Sequence, residues 1–98
     1  MPLVADTESI NISAASLENL VAQFDEEGAF SDEEAVRALQ LHLTAIGHYE
    51  YQGEAEKVVR HMDGFQVLID YQLNEELISH EAYGSLQVQA EVLADHWE

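Results

Sequence analysis

Five histidines, His42, His48, His61, His80 and His96, are the first side chains in this sequence to weigh for chemistry. A dinuclear iron centre inside a helical protein needs Glu-x2-His on two helices, so that both ligands of each pair point into one interior. The residues three positions before the histidines are Leu39, Ala45, Val58, Leu77 and Leu93, so that pattern is absent. The zinc motif His-Glu-x2-His is absent too. With no cysteine in the chain, there is also no thiolate site, disulfide or cysteine nucleophile. The histidines therefore read as flanks of apolar stripes, with His61 and His96 reaching outward at the edges. No metal or cofactor is expected on them.

Carboxylates are the next candidates. Asp25, Glu26, Glu27, Asp32, Glu33 and Glu34 crowd a short stretch, and oxygen ligands suit a hard cation such as calcium. The EF-hand pattern is missing, and Asp63-Gly64 alone carries no such signal. The simpler reading of residues 25–34 is a solvated acidic loop, and the sequence does not decide whether it takes a divalent cation. Among 20 acids some pairs must lie close together, so proximity alone does not indicate acid–base catalysis. No Gly-x-Ser-x-Gly elbow and no phosphate-cradling glycine loop is present, and Gly84-Ser85 falls inside an expected helix. No catalytic residue is expected. Tyr49 and Tyr51, with His48, suggest an aromatic surface of the kind that binds sugars, while Tyr71 and Tyr83 fall elsewhere. The plainer alternative is that the tyrosines flank the core and keep their hydroxyls wet.

The elements that would position these groups are helices. Ser13 is a good N-cap, and Ile12 can staple onto Leu17. Leu17, Leu20, Val21 and Phe24 then share a face, and Gly28 suits the left-handed turn at a helix end. Ser31-Asp32-Glu33-Glu34 reads as a capping box for a second helix, in which Val36, Leu39, Leu43 and Ile46 form the stripe and Leu41 falls off it. That helix should reach about Gln52, with Gly53 as terminator. A third should run from about Glu54 to Leu73, on the spacing of Ala55, Val58, Met62, Phe65, Ile69 and Leu73. Gly64 within it marks either a close neighbour or a bend. The fourth starts at Ser79 with Ile78 and Tyr83 as a second staple, and carries Ala82, Leu86, Ala90, Leu93 and Trp97 inward.

Short connections favour antiparallel neighbours. The expected fold is all-α: a compact antiparallel bundle of four helices over residues 13–98, with residues 1–12 as a short extended N-terminal arm or linker. Ser9-Ile10-Asn11-Ile12 alternates polar and apolar and suits a short strand or an extended arm.

Charge sets the class of partner. Three Lys plus Arg against 20 Asp plus Glu leave a formal charge of −17, and the cations are Arg37, Lys57 and Arg60. Such a surface repels nucleic acid and anionic lipid, so direct binding to either is not expected. No apolar run is long enough to span a bilayer, and no signal peptide is visible.

The pattern Leu39-x3-Leu43-x2-Ile46-x6-Gly53-x4-Val58-x3-Met62-x2-Phe65 resembles the FIMAH domain. Leu17-x2-Leu20-Val21-x2-Phe24-x3-Gly28 is similar to that family's opening helix and turn, and Ile78-Ser79-x2-Ala82-x3-Leu86, ending at Trp97, to its last helix. The resemblance spans roughly residues 12–98. It implies a small helical module, often C-terminal, attached to secreted bacterial enzymes such as glycoside hydrolases and peptidases, with no catalytic residues of its own. It also implies that Ile10-Asn11-Ile12 ends a preceding strand domain.

The expected function is a noncatalytic accessory or interaction module of a larger secreted protein. Its partner would be a protein, a cell surface or a polysaccharide. The alternative is a free-standing, cytoplasmic acidic inhibitor that imitates DNA and occupies a basic groove. A mimic needs one or two extended negative stripes, whereas an accessory module should be negative all round.

Overall fold

In the computed structural model, which describes residues 12–98, helix α1 (Ala14–Glu26) begins where Ser13 caps it. Ser13 is extended, and its hydroxyl accepts from the Ser16 N–H while the Ser16 hydroxyl accepts from the Ser13 N–H at 2.9 Å. The reciprocal pair satisfies two amides that the first turn would otherwise leave open. The helix ends in a left-handed turn at Gly28 (φ +83°), where the Ala29 N–H donates back to the Phe24 carbonyl at 3.0 Å.

Helix α2 (Glu33–Gln52) is capped by Asp32, one residue later than the sequence suggested. Asp32 Oδ1 accepts from the Ala35 N–H at 2.9 Å. The expected Ser31–Glu34 capping box does not form, because the Ser31 backbone is engaged elsewhere: its N–H donates to the Leu77 carbonyl at 2.9 Å. Helix α2 closes at Gly53 (φ +73°).

Helix α3 (Ala55–Asn74) runs unbroken through Gly64. It ends in the same kind of turn as the first two, with Leu77 N–H donating to the Gln72 carbonyl at 2.8 Å, but here the left-handed position is Glu76 (φ +62°). Helix α4 (His80–Trp97) starts at the expected cap, Ser79, whose hydroxyl accepts from the Ala82 N–H at 3.1 Å.

Each helix packs on two neighbours, in the cycle α1–α2–α3–α4–α1, so the chain runs up, down, up and down around one core. The α1–α2 and α3–α4 connections lie at one end and are joined there by an antiparallel bridge between Phe30 and Ile78. Two backbone bonds, Ser31 N–H to Leu77 O and Ser79 N–H to Ala29 O, both at 2.9 Å, make this latch. Ser13, Gly53 and Trp97 mark the opposite end.

The inward stripes meet as expected. Leu17, Val21, Leu39, Leu43, Ile46, Val58, Met62, Phe65, Ile69, Leu86 and Leu93 are all fully buried, while Leu41 is 66% exposed. Among the described residues one polar side chain joins them: Gln72 is buried beside the core in the place the stripe gave to Leu73, which is only half-buried. The expected N-terminal arm lies outside the described residues, except Ile12, which packs half-buried against the core. Among the described residues no helix is long and apolar enough to cross a membrane.

Candidate functional site

The end of the bundle opposite the latch is organised by Glu50. It follows the buried Ile46 by one helical turn, so it sits where the core stripe of α2 runs out. Its Oε1 accepts from the Ala14 N–H at 3.1 Å, one of the amides that the start of α1 cannot pair internally. The carboxylate also suits the positive end of that helix dipole. Its Oε2 accepts from the Trp97 Nε1–H at 3.2 Å. One side chain thus ties α2 to the first residue of α1 and the last of α4.

Held in this way, Trp97 borders a groove of about 500 Å³ between the first half of α3 and the end of α4. The α3 wall is Ala55, Glu56, Val59, Arg60 and Asp63; Trp97 and Glu98 form the other wall. Glu56, Arg60 and Asp63 follow each other at helical steps of four and three, which puts all three on one edge of α3. Lys57 with Glu54, at 3.2 Å, is the only ion pair among the described residues, so Arg60 lies in the groove with no carboxylate closed onto it.

The histidines divide. His42 and His61 come together across α2 and α3, with ring centroids 5.9 Å apart, and the His42 Nε2–H donates to the His61 carbonyl at 2.7 Å. His61 stacks on Tyr49 at 4.8 Å, and the Lys57 ammonium lies 5.5 Å from the Tyr49 ring. This cluster is a seam between two helices, held by stacking and one hydrogen bond. His48, His80 and His96 are exposed and lie on other turns.

The acidic stretch 25–34 spreads around the latch end. Asp25 and Glu33 share a small groove of about 220 Å³ with Val36, Arg37 and Gln40. Among the described residues no three His, Asp or Glu side chains converge as a metal site. The suggested aromatic surface does not assemble either: Tyr49 is covered by His61, and Tyr51 stands 92% exposed by itself. On the α3–α4 face, the Tyr83 hydroxyl donates to Asp70 Oδ1. That hydrogen bond, with some burial and the charges of Asp70 and Glu91, raises the Tyr83 hydroxyl above its usual pKa of 10.0.

The FIMAH domain model matches residues 14–95. The chain belongs to the FIMAH domain family. The match takes in all of α1, α2 and α3 and most of α4, so the resemblance read from the apolar spacing is confirmed, and with it the all-helical fold. The comparison with curated proteins returned no match, and neither did the comparison with solved structures. Trp97 and Glu98, the α4 wall of the groove, lie beyond the matched span.

The sequence alone gives Glu50 no role, counts Arg60 only as one of three cations, and places Trp97 only on the inward stripe of the last helix. The available signal was the single tryptophan in the chain, and one of only three cations set between acids at helical spacing.

Proposed function

We propose that this FIMAH domain is a noncatalytic accessory module of a larger secreted protein and that it acts by surface contact. One observation carries the reading: the apolar stripes of the four helices meet in one buried core, and the groove at the Trp97 end is open. An acid–base or nucleophilic centre needs side chains held together inside a cleft that excludes water. Among the described residues the one buried polar side chain is Gln72, which donates to a backbone carbonyl of α2.

The distribution of charge supports the accessory reading over an acidic inhibitor shaped like DNA. Exposed carboxylates occur on every helix and at both turns of the latch, including Asp25, Glu33, Asp63, Glu75, Glu91 and Asp95. A repulsive field on all sides keeps the module away from nucleic acid and anionic lipid, and leaves neutral or basic surfaces as its contacts.

The test compares the full natural reading frame with the same frame lacking residues 12–98. Removal should leave turnover of a small soluble substrate unchanged and reduce retention on insoluble polysaccharide or on cells. A frame that encodes no further domain, or a deletion that abolishes soluble turnover and leaves retention intact, would contradict the proposal.

A further inference from the structure

We infer that the groove between α3 and the end of α4 binds a neutral carbohydrate, with a sugar ring resting on Trp97 and its hydroxyls shared between Arg60 and the carboxylates of Glu56 and Asp63. The inference deepens the accessory reading, on which it rests, by naming the ligand class and the residues.

The groove's own chemistry favours a ligand that both donates and accepts hydrogen bonds. An anionic ligand would find one guanidinium among several carboxylates, on a chain of formal charge −17. A cationic ligand would be drawn to Glu56, Asp63 and Glu98 but would leave the guanidinium of Arg60, set between two of them, without an acceptor. A wholly apolar ligand would strip water from charged groups and return no hydrogen bonds. A hydroxyl-rich neutral ring suits all of them. Each hydroxyl both donates and accepts, so one molecule can satisfy the carboxylate oxygens and the guanidinium N–H groups together.

Three further observations agree. Arg60 has no ion-pair partner among the described residues, in a chain where acids outnumber cations by 20 to 3, so its donors stay available. The indole N–H of Trp97 is held by Glu50, and the half-buried ring lines the groove together with Val59. At about 500 Å³ the groove falls within the range of small-molecule sites, roughly 300–1,000 Å³. Because it is open along one side, much of the ligand stays in water. The dissociation constant should therefore be weak, on the order of 1 mM.

The chain has a single tryptophan, so its fluorescence reports from the groove itself. The experiment titrates the whole chain with cellotetraose, maltotetraose, mannotetraose and chitin tetrasaccharide, and with tetragalacturonate and tetralysine as charged controls. At least one neutral tetrasaccharide should give a saturable change in Trp97 emission. Arg60→Ala and Asp63→Ala should each weaken it about tenfold, and Arg37→Ala should leave it unchanged. Because the ligand is uncharged, raising salt to about 1 M should alter the affinity little. No saturable response to any neutral sugar, a response confined to a charged control, or one that survives Arg60→Ala would overturn the inference. Should sugars fail here while the deletion described above still lowers retention, the accessory reading survives and only the ligand class falls.

Discussion

The Trp97 indole donates to Glu50 Oε2 at 3.2 Å across 47 residues of sequence, and the other oxygen of the same carboxylate receives the Ala14 amide at 3.1 Å. Both partners are donors, so only a side chain with two acceptor oxygens can serve them together. Glu50→Gln would set its NH2 against one of the donors and should cost nearly as much as Glu50→Ala. We expect either to lower stability by about 1–3 kcal/mol. Urea unfolding followed by Trp97 fluorescence would check this, and a loss confined to Glu50→Ala would refute the two-donor account.

Glu76 adopts φ +62° at the turn where the equivalent residues after α1 and α2 are Gly28 and Gly53. A side chain in the left-handed region costs roughly 1–2 kcal/mol. The Leu77 N–H to Gln72 carbonyl bond that closes this turn needs only the backbone. Glu76→Gly should therefore raise stability by about 1 kcal/mol, after the added freedom of the unfolded chain is set against the relief. The mirror experiment is Gly53→Ala, which should lower stability although a Cβ there meets nothing within 4 Å. Thermal melts of both variants would show opposite shifts.

Gly64 and Gly84 separate two roles of a helical glycine. A Cβ at Gly64 would lie 3.3 Å from Cε1 and Nε2 of His42, whose ring is tethered by its bond to the His61 carbonyl. A Cβ at Gly84 meets nothing within 4 Å. Gly84→Ala should thus gain about 1 kcal/mol of helix preference, and Gly64→Ala should gain less or lose stability. Equal gains in their urea midpoints would show that His42 yields freely.

Much of the fold was legible because apolar spacing is a local property. Val36, Leu39, Leu43 and Ile46 step by three and four and are all buried, and Gly28, Gly53, Ser13 and Ser79 act at the turns and caps their chemistry suits. Gly64 as a place of close approach was one of two readings, and His42 settles it. The misread features depend on distant contacts. Ser31 and Asp32 are both good caps, and the choice falls to Asp32 because the Ser31 amide pairs with Leu77 in the other connection. The groove was hidden for the same reason, since Arg60 and Trp97 meet only when α3 and α4 are packed.

Gln72 illustrates a polar residue tolerated inside. Its Nε2 donates to the Ala35 carbonyl at 3.0 Å, while its Oε1 is buried with no partner. Burying an unpaired acceptor costs about 1–3 kcal/mol, which exceeds the roughly 1 kcal/mol that one hydrogen bond returns. Gln72→Met keeps the length and removes both polar atoms, so it should hold or raise stability by up to about 1 kcal/mol. A clear drop in the urea midpoint would mean that the tie to α2 outweighs the orphaned oxygen.

Tyr83 gives a pH-dependent term. Its hydroxyl holds the proton more tightly when folded, chiefly through the bond to Asp70. Its contribution is complete below the ordinary tyrosine pKa of 10.0 and is lost as pH rises through the higher folded value, because the unfolded chain releases the proton first. The difference between tyrosinate titrations of the parent chain and Tyr83→Phe should have a midpoint above 10.0. A midpoint at or below that value would remove the Asp70 interaction from the account.

Whether this FIMAH domain has a reaction of its own is answered most directly by the purified chain alone, incubated with soluble polysaccharides and peptides while products are separated and counted. Release of products should be no faster than in buffer at any chain concentration. Turnover proportional to the amount of chain, persisting through repurification and abolished by Asp63→Asn or Arg60→Ala, would contradict a module that acts only by contact.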